Sequence, residues 1–357
     1  MDWILFLGVS FIAVILVTLI VFLVRGIKKG FLQTAINFGV SFGALIASFF
    51  LAKPVLWLFD RFYKFSMTFF DRFMSAFVKI PLMNQIVDSS SLQAQVQTFQ
   101  STDVVMSPWL KDFLIKIFNN TKLYVGETTT LATIGANALS YILMSILVML
   151  SLFVTIKIVV NMLVTKIGKI KSTGKVASKL GGMAFGIANA LIYIFIGIAI
   201  ISVAPFGADD ITVSSAVEKT KLLEPAFNIS QNITTNYYAT KIDWTSQNKG
   251  FTKLENNLIS TYIDKNAESQ ERYVVTIEIS YSNQMTERIY DKWTDTNLTP
   301  TNYRYVFAND KIWIFDSDNM FVLSAVLSKK DKAIVYKKQI DNGDDTTTNY
   351  YAVLRQE

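Results

Sequence analysis

The first feature of the chain is an uncharged apolar run from Trp3 to Val24. A helix rises about 1.5 Å per residue, so this run covers the roughly 30 Å of bilayer hydrocarbon. Similar uncharged stretches recur, and the pattern predicts four spans, at 3–24, 31–52, 133–156 and 181–204. Residues 1–204 thus form an α-helical polytopic transmembrane domain.

Between the second and third spans the pattern changes to helical amphipathicity. In 55–80, Asp60, Lys64, Thr68, Asp71, Ser75 and Lys79 fall three or four apart, which puts a narrow polar stripe on an apolar helix lying along the membrane surface. The sequence Phe-Asp-Arg-Phe occurs at Phe59–Phe62 and again at Phe70–Phe73. The doublets Asp60-Arg61 and Asp71-Arg72 read either as solvated or mutually paired charges or as a docking strip. A second amphipathic helix is expected at 104–118, and the Ser- and Gln-rich stretch Asp88–Thr102 reads as a loop.

After Pro205 the composition turns polar. Residues 205–249 read as a linker and 250–357 as an extracytoplasmic α+β domain. Phe251, Leu254, Leu258, Ile259 and Tyr262 share one helical face, so 251–265 is predicted to be a helix. Alternating segments at Tyr273–Tyr281, Tyr303–Phe307, Lys311–Phe315, Phe321–Leu327, Ala333–Ile340 and Tyr350–Leu354 read as strands of an antiparallel sheet packed on that helix, with Asn342-Gly343 as a hairpin turn. The aromatics Trp293, Tyr303, Tyr305, Trp313 and Phe315 read as core and cross-strand pairs.

Charge sets the orientation. The turn between the first two spans holds Arg25, Lys28 and Lys29, and the loop between the last two holds Lys166, Lys169, Lys171, Lys175 and Lys179, neither with an acid. Lys and Arg concentrate on the cytoplasmic side, so both turns are expected there and both termini outside. The net charge of +6 therefore sits in these turns, which argues against a nucleic-acid partner.

The chain has no cysteine and no histidine. Disulfides, thiol nucleophiles, Ser-His-Asp triads, histidine-ligated zinc and haem ligation by His or Cys are excluded. Gly168–Gly174 lacks the spacing of a phosphate-binding loop, and Asp344-Asp345 reads as a solvated turn. No catalytic residue, cofactor-binding residue or metal ligand is assigned.

Two small-residue stripes stand out within the spans. Ala35, Gly39, Gly43 and Ala47 recur every four residues in the second, and Gly182, Gly186 and Ala190 repeat the device in the fourth. Such stripes let helix backbones approach closely, so they predict helix packing between spans two and four or between protomers of a homo-oligomer. Polar pairs four apart, Asn37 with Ser41 and Asn189 with Tyr193, share helix faces. Lys157 and Asn161 lie one turn apart near the end of the third span, where a lysine can snorkel to the interface.

Together these residues resemble the bacterial colicin V production protein family over about residues 1–235. The resemblance rests on Val24-Arg25-Gly26-Ile27-Lys28-Lys29-Gly30-Phe31 with Gly39 and Gly43, and on Ile158-Val159-Val160-Asn161 through Lys166-Ile167-Gly168 to Gly182, Gly186 and Ala190. Lys219-Thr220-Lys221-Leu222-Leu223-Glu224-Pro225 is similar to a short stretch after the family's last span. Where members often have Asp-Arg this chain has Ser178-Lys179, and the expected last glycine is Ala190. The resemblance implies a multi-pass protein of the bacterial inner or plasma membrane with a role in toxin production or export and envelope homeostasis.

The expected function is a non-enzymatic scaffold, with the lipid bilayer and envelope or export proteins as partners. A small channel or transporter subunit and a membrane-anchored sensor using the C-terminal domain are the alternatives.

Overall fold

In a computed structural model, the described residues are 3–167, 176–203, 224–239, 244–245, 256–270, 272–342 and 346–357. They divide into two units. One comprises Met1–Phe69, Val105–Phe113 and Ala138–Ile242, the other Phe70–Val104, Leu114–Asn137 and Asp243–Glu357.

The first unit is built from long helices: α1 (Trp3–Lys29), α2 (Phe31–Tyr63), most of α6 (Leu131–Ile167), α7 (Val176–Val203) and α8 (Glu224–Thr234). Three apolar stretches, Phe31–Tyr63, Leu131–Leu163 and Val176–Ile198, are long enough to cross a membrane. At 33 residues α2 outlasts a bilayer core and passes through Pro54 without a break. Ala44 of α2, Phe153 of α6, and Ile192 and Ile196 of α7 are buried together, with Phe38, Leu45, Leu150, Ile156 and Tyr193 against them. Lys169, Lys171 and Lys175 lie outside the described residues, as do Asp344-Asp345, Gly343 and most of Lys219–Pro225.

The expected surface helix at 55–80 is not one element. It splits between the end of α2 and α3 (Phe70–Phe77). The break is local: Lys64 takes a left-handed φ of 47° and caps α2 through its amide to the Asp60 carbonyl, while the Asp60 carboxylate accepts the Ser66 amide at 2.6 Å. The expected loop at Asp88–Thr102 is mostly helix, α4 (Leu92–Ser101). Its entry is organised by Asp88, whose carboxylate accepts both the Ser90 and Ser91 amides at 2.9 Å. The second amphipathic helix is α5 (Pro108–Asn120).

The C-terminal domain is a closed barrel rather than a sheet packed on a helix. Its strands are β1 (Thr261–Asp264), β2 (Tyr273–Ile279), β3 (Gln284–Asp291), β4 (Thr301–Ala308), β5 (Lys311–Phe315), β6 (Phe321–Ser328), β7 (Ala333–Asp341) and β8 (Thr347–Gln356). Each strand pairs antiparallel with the next, and β8 pairs antiparallel with β1. Closure gives each of these eight strands a neighbour on both sides. The expected helix at 251–265 is overturned over its described part: Asn256–Leu258 is one 3-10 turn and Thr261–Asp264 is the strand that closes the barrel.

Inward positions from every strand fill the interior, among them Tyr262, Val275, Ile277, Met285, Tyr305, Ile314, Leu327, Ile334, Tyr336 and Leu354. An eight-stranded barrel has an interior about wide enough for side chains alone. Trp313 and Phe315 are also buried, whereas Trp293 is 71% exposed, with the Arg272 guanidinium 4.8 Å from its ring centroid. Three turns of the barrel are held by the segment between α2 and α6. Asp71 pairs with Lys311 at 2.6 Å and accepts from Asn309 at 3.1 Å. Asn84 donates to the Asn319 carbonyl at 2.8 Å, and Thr128 donates to Asn283 at 2.7 Å. The second Asp-Arg doublet is therefore engaged, through Asp71, by the chain's own barrel.

Candidate functional site

The strongest candidate site lies in the helical unit and begins with the turn Arg25–Gly30. Gly30 separates α1 from α2 and has φ 74°, a left-handed conformation that glycine adopts without steric cost. Its amide donates to the Gly26 carbonyl at 2.9 Å, and the Thr34 hydroxyl donates to the Gly30 carbonyl at 2.7 Å. Gly30 thus serves both sides of the turn, its amide closing α1 on Gly26 and its carbonyl receiving Thr34 in the first turn of α2.

The same glycines meet α7. A Cβ on Gly26 would stand 2.2 Å from the Gly182 carbonyl oxygen, and one on Gly182 would stand 2.3 Å from the Gly26 oxygen. One on Gly186 would stand 2.6 Å from the Phe22 oxygen. No side chain fits between these backbones, so α1 and α7 run together as a glycine seam of the kind small residues permit in membranes. Gly39 and Gly43 have nothing within 4 Å of an added Cβ and are exposed, with Ala35 and Ala47 half-buried. Within the chain, therefore, the small-residue face of α7 is matched by α1, not by the stripe of α2. Ala190 is fully buried further along α7. The face that α2 does bury carries Thr34, Ser41, Ala44, Ser48, Ala52 and Leu56.

Beside the seam is a cavity of about 180 Å³ to which all four long helices contribute. Arg25 and Lys29 come from α1, Thr34 and Asn37 from α2, Lys157 and Asn161 from α6, and Asn189 and Tyr193 from α7, with Phe22, Gly26 and Gly186 completing the wall. Arg25 and Lys29 are exposed, whereas Gly26, Gly186 and Asn189 are buried. The cavity therefore has a basic mouth and a closed floor.

Its electrostatics are one-sided, since the lining holds three cationic side chains and no carboxylate. The Lys157 ammonium lies 4.3 Å from the Tyr193 ring centroid and 5.7 Å from that of Phe153. Aromatic faces of this kind attract a cation. Asn189 is only 6% exposed, and its side-chain oxygen has no hydrogen-bond partner.

Several residues singled out separately in the sequence meet here. Asn37, Asn189 and Tyr193 share the cavity with Lys157 and Asn161, although Ser41, buried on α2, is not among its lining. Arg25 and Lys29 read in the sequence as determinants of orientation and as part of the motif behind the family resemblance, and their part in the cavity was missed. The signal available was their helical spacing of four, which puts both on one face of α1. Lys28 and Lys179 are exposed and do not line it. Lys166 closes α6 in sequence, next to residues outside the described set.

The barrel holds a second polar cluster, built on Glu287 of β3, whose side chain is 0% exposed. Its carboxylate accepts the Tyr336 hydroxyl, pairs with Lys338, and accepts the Tyr303 hydroxyl at 3.3 Å. Lys338 also donates to the Tyr303 oxygen at 3.1 Å. Burial works against the Lys338 ammonium, but the Glu287 hydrogen bond and charge outweigh it and hold this lysine above its ordinary range. The cluster is satisfied within itself and reads as a structural pin. Among the described residues no group of acids is placed to hold a metal ion.

No family model matches the chain, and no curated protein or solved structure shows significant similarity to it.

Proposed function

We propose that the chain is a non-enzymatic membrane scaffold that presents its β-barrel to envelope or export proteins. In this reading α1, whose run from Trp3 to Val24 is uncharged, is a fourth span beside the three apolar stretches. The two basic turns lie in the cytoplasm and both termini outside. The resemblance to the colicin V production family supports a bacterial inner or plasma membrane and a role in toxin production or export.

The observation that carries the reading is the way both units are locked. Backbone-to-backbone contact along the glycine seam and a barrel interior filled with side chains suit a fixed frame better than parts that slide or open. Purified full-length protein in liposomes should pass no ions or small solutes. A cytoplasm-active reporter should work at Lys171 and a periplasm-active one at Glu357. The reverse reporter pattern would overturn the orientation, and solute flux would overturn the scaffold.

One observation favours a second reading, a small channel or transporter subunit: Asn37, Asn189 and Tyr193 converge on a polar cavity among apolar helices. Polar groups inside membrane bundles commonly mark solute pathways. The flux measurement separates the two.

A further inference from the structure

We propose that the cavity beside the glycine seam is a binding site for a phosphate-bearing anion that also carries a hydroxyl. The proposal goes beyond the scaffold reading and does not depend on it.

The charge of the site selects the ligand's sign. Arg25, Lys29 and Lys157 border one space with no carboxylate among its lining. Lys157 is half-buried and faces two like charges at the exposed mouth, and like charges repel, most where water is least able to screen them. An anion seated among them removes that repulsion and gains charge-assisted hydrogen bonds. Tyr193 and Phe153 hold the Lys157 ammonium near their faces without neutralising it.

Size narrows the choice further. A space of about 180 Å³ is below the roughly 300–1,000 Å³ of pockets that enclose whole metabolites. A single phosphate group with a small substituent fits it. Simple halides would leave most of the volume to water.

The third constraint comes from Asn189. Its amide oxygen is buried without a donor, and leaving such an acceptor unmade costs about 1–3 kcal/mol. A ligand that brings an O–H supplies the missing partner. Inorganic phosphate does this through its own protonated oxygen, and a phosphatidylglycerol head group through its glycerol. The position suits either source. Arg25 directly follows the apolar run of α1, the level at which lipid phosphates lie, and basic pockets between spans are a known form of head-group recognition.

The test uses full-length protein in a neutral detergent. Its thermal unfolding is followed with added inorganic phosphate, with chloride at matched ionic strength, with phosphatidylglycerol and with phosphatidylcholine. A rise with phosphate alone supports a free anion as the ligand, a rise with phosphatidylglycerol alone supports a lipid head group, and a rise with both supports a site open to either. Chloride and phosphatidylcholine should leave the midpoint unchanged.

Lys157→Met and Asn189→Leu should each weaken the response by about tenfold or more in apparent affinity, and Lys157→Arg should restore it. No response of the wild-type protein to phosphate or phosphatidylglycerol would overturn the proposal, whether or not the variants fold. A response undiminished in folded Lys157→Met would overturn the placement of the site. Flux through the protein bears only on the scaffold reading, so the two can fail independently.

Discussion

Replacing Lys338 with methionine should destabilise the barrel by about 3–5 kcal/mol, the usual cost of breaking a buried ion pair from one side. The magnitude follows from what remains. Glu287 is 0% exposed on its side chain, so its carboxylate would stay in the interior with only the Tyr336 and Tyr303 hydroxyls to hold its charge. Glu287→Leu alone leaves the ammonium unpaired and deprives both tyrosines of their acceptor, about 1–3 kcal/mol for each buried hydroxyl left without one. In the double variant no charge is buried, and only the tyrosine cost remains. The double variant should therefore lose less than the sum of the single variants by at least about the 3–5 kcal/mol that the stranded carboxylate costs in the lysine variant, because that cost disappears once Glu287 is gone too. Urea unfolding of the detergent-solubilised chain, followed by the fluorescence of buried Trp313, measures all three. Additive losses would show that the cluster is not a coupled unit and refute the reasoning.

Two further outcomes are expected. Gly26→Ala and Gly182→Ala put a Cβ within 2.2–2.3 Å of a backbone oxygen and should cost at least about 1–3 kcal/mol in the helical unit. Gly39→Ala and Gly43→Ala, with nothing within 4 Å, should stay within about 0.5 kcal/mol of wild type. Equal thermal unfolding midpoints across all four variants would undo the seam. In alkali, burial pushes Tyr262 and Tyr305 up to about 12. Burial and the neighbouring Glu287 carboxylate raise Tyr336 as well. Each raised group contributes stability that is complete below its unfolded value, about 10 for tyrosine, and lost as pH rises through its folded value. Lys338, also raised, acts in the same direction. The barrel should hold constant stability from neutrality to about pH 10 and lose it above. Tyrosinate absorbance recorded with near-ultraviolet circular dichroism checks this, and ionisation of these tyrosines near pH 10 in a folded barrel would contradict it.

How much could be read without the structure depends on how local each cause is. Long uncharged runs need no tertiary information, because a helix satisfies its own backbone and hydrocarbon demands that it do so. The three helices long and apolar enough to cross a membrane were legible for that reason. So were the strands around Ala308-Asn309-Asp310, where alternation and a turn coincide. Strand β3 was missed because its inward positions alternate Met285, Glu287, Ile289 and Asp291. Two of the four are acids, and the hydrophobic period vanishes. Only the partners they meet, Lys338 across the interior and Arg272 at 3.0 Å, make those positions tolerable.

The sequence by itself determined where this protein is apolar enough to enter a membrane, where its positive charge is concentrated, and that a strand-rich domain follows. Those properties belong to short stretches of chain. Tertiary structure decided the rest. Tyr262 sits in a helical pattern yet serves in β1, because the barrel needs that strand to pair with both β2 and β8. Gly182 faces Gly26 rather than Gly39, and residues from four helices, distant in sequence, enclose one basic cavity. Spacing along a helix fixes which face a residue occupies, but which face it meets depends on packing across the whole chain.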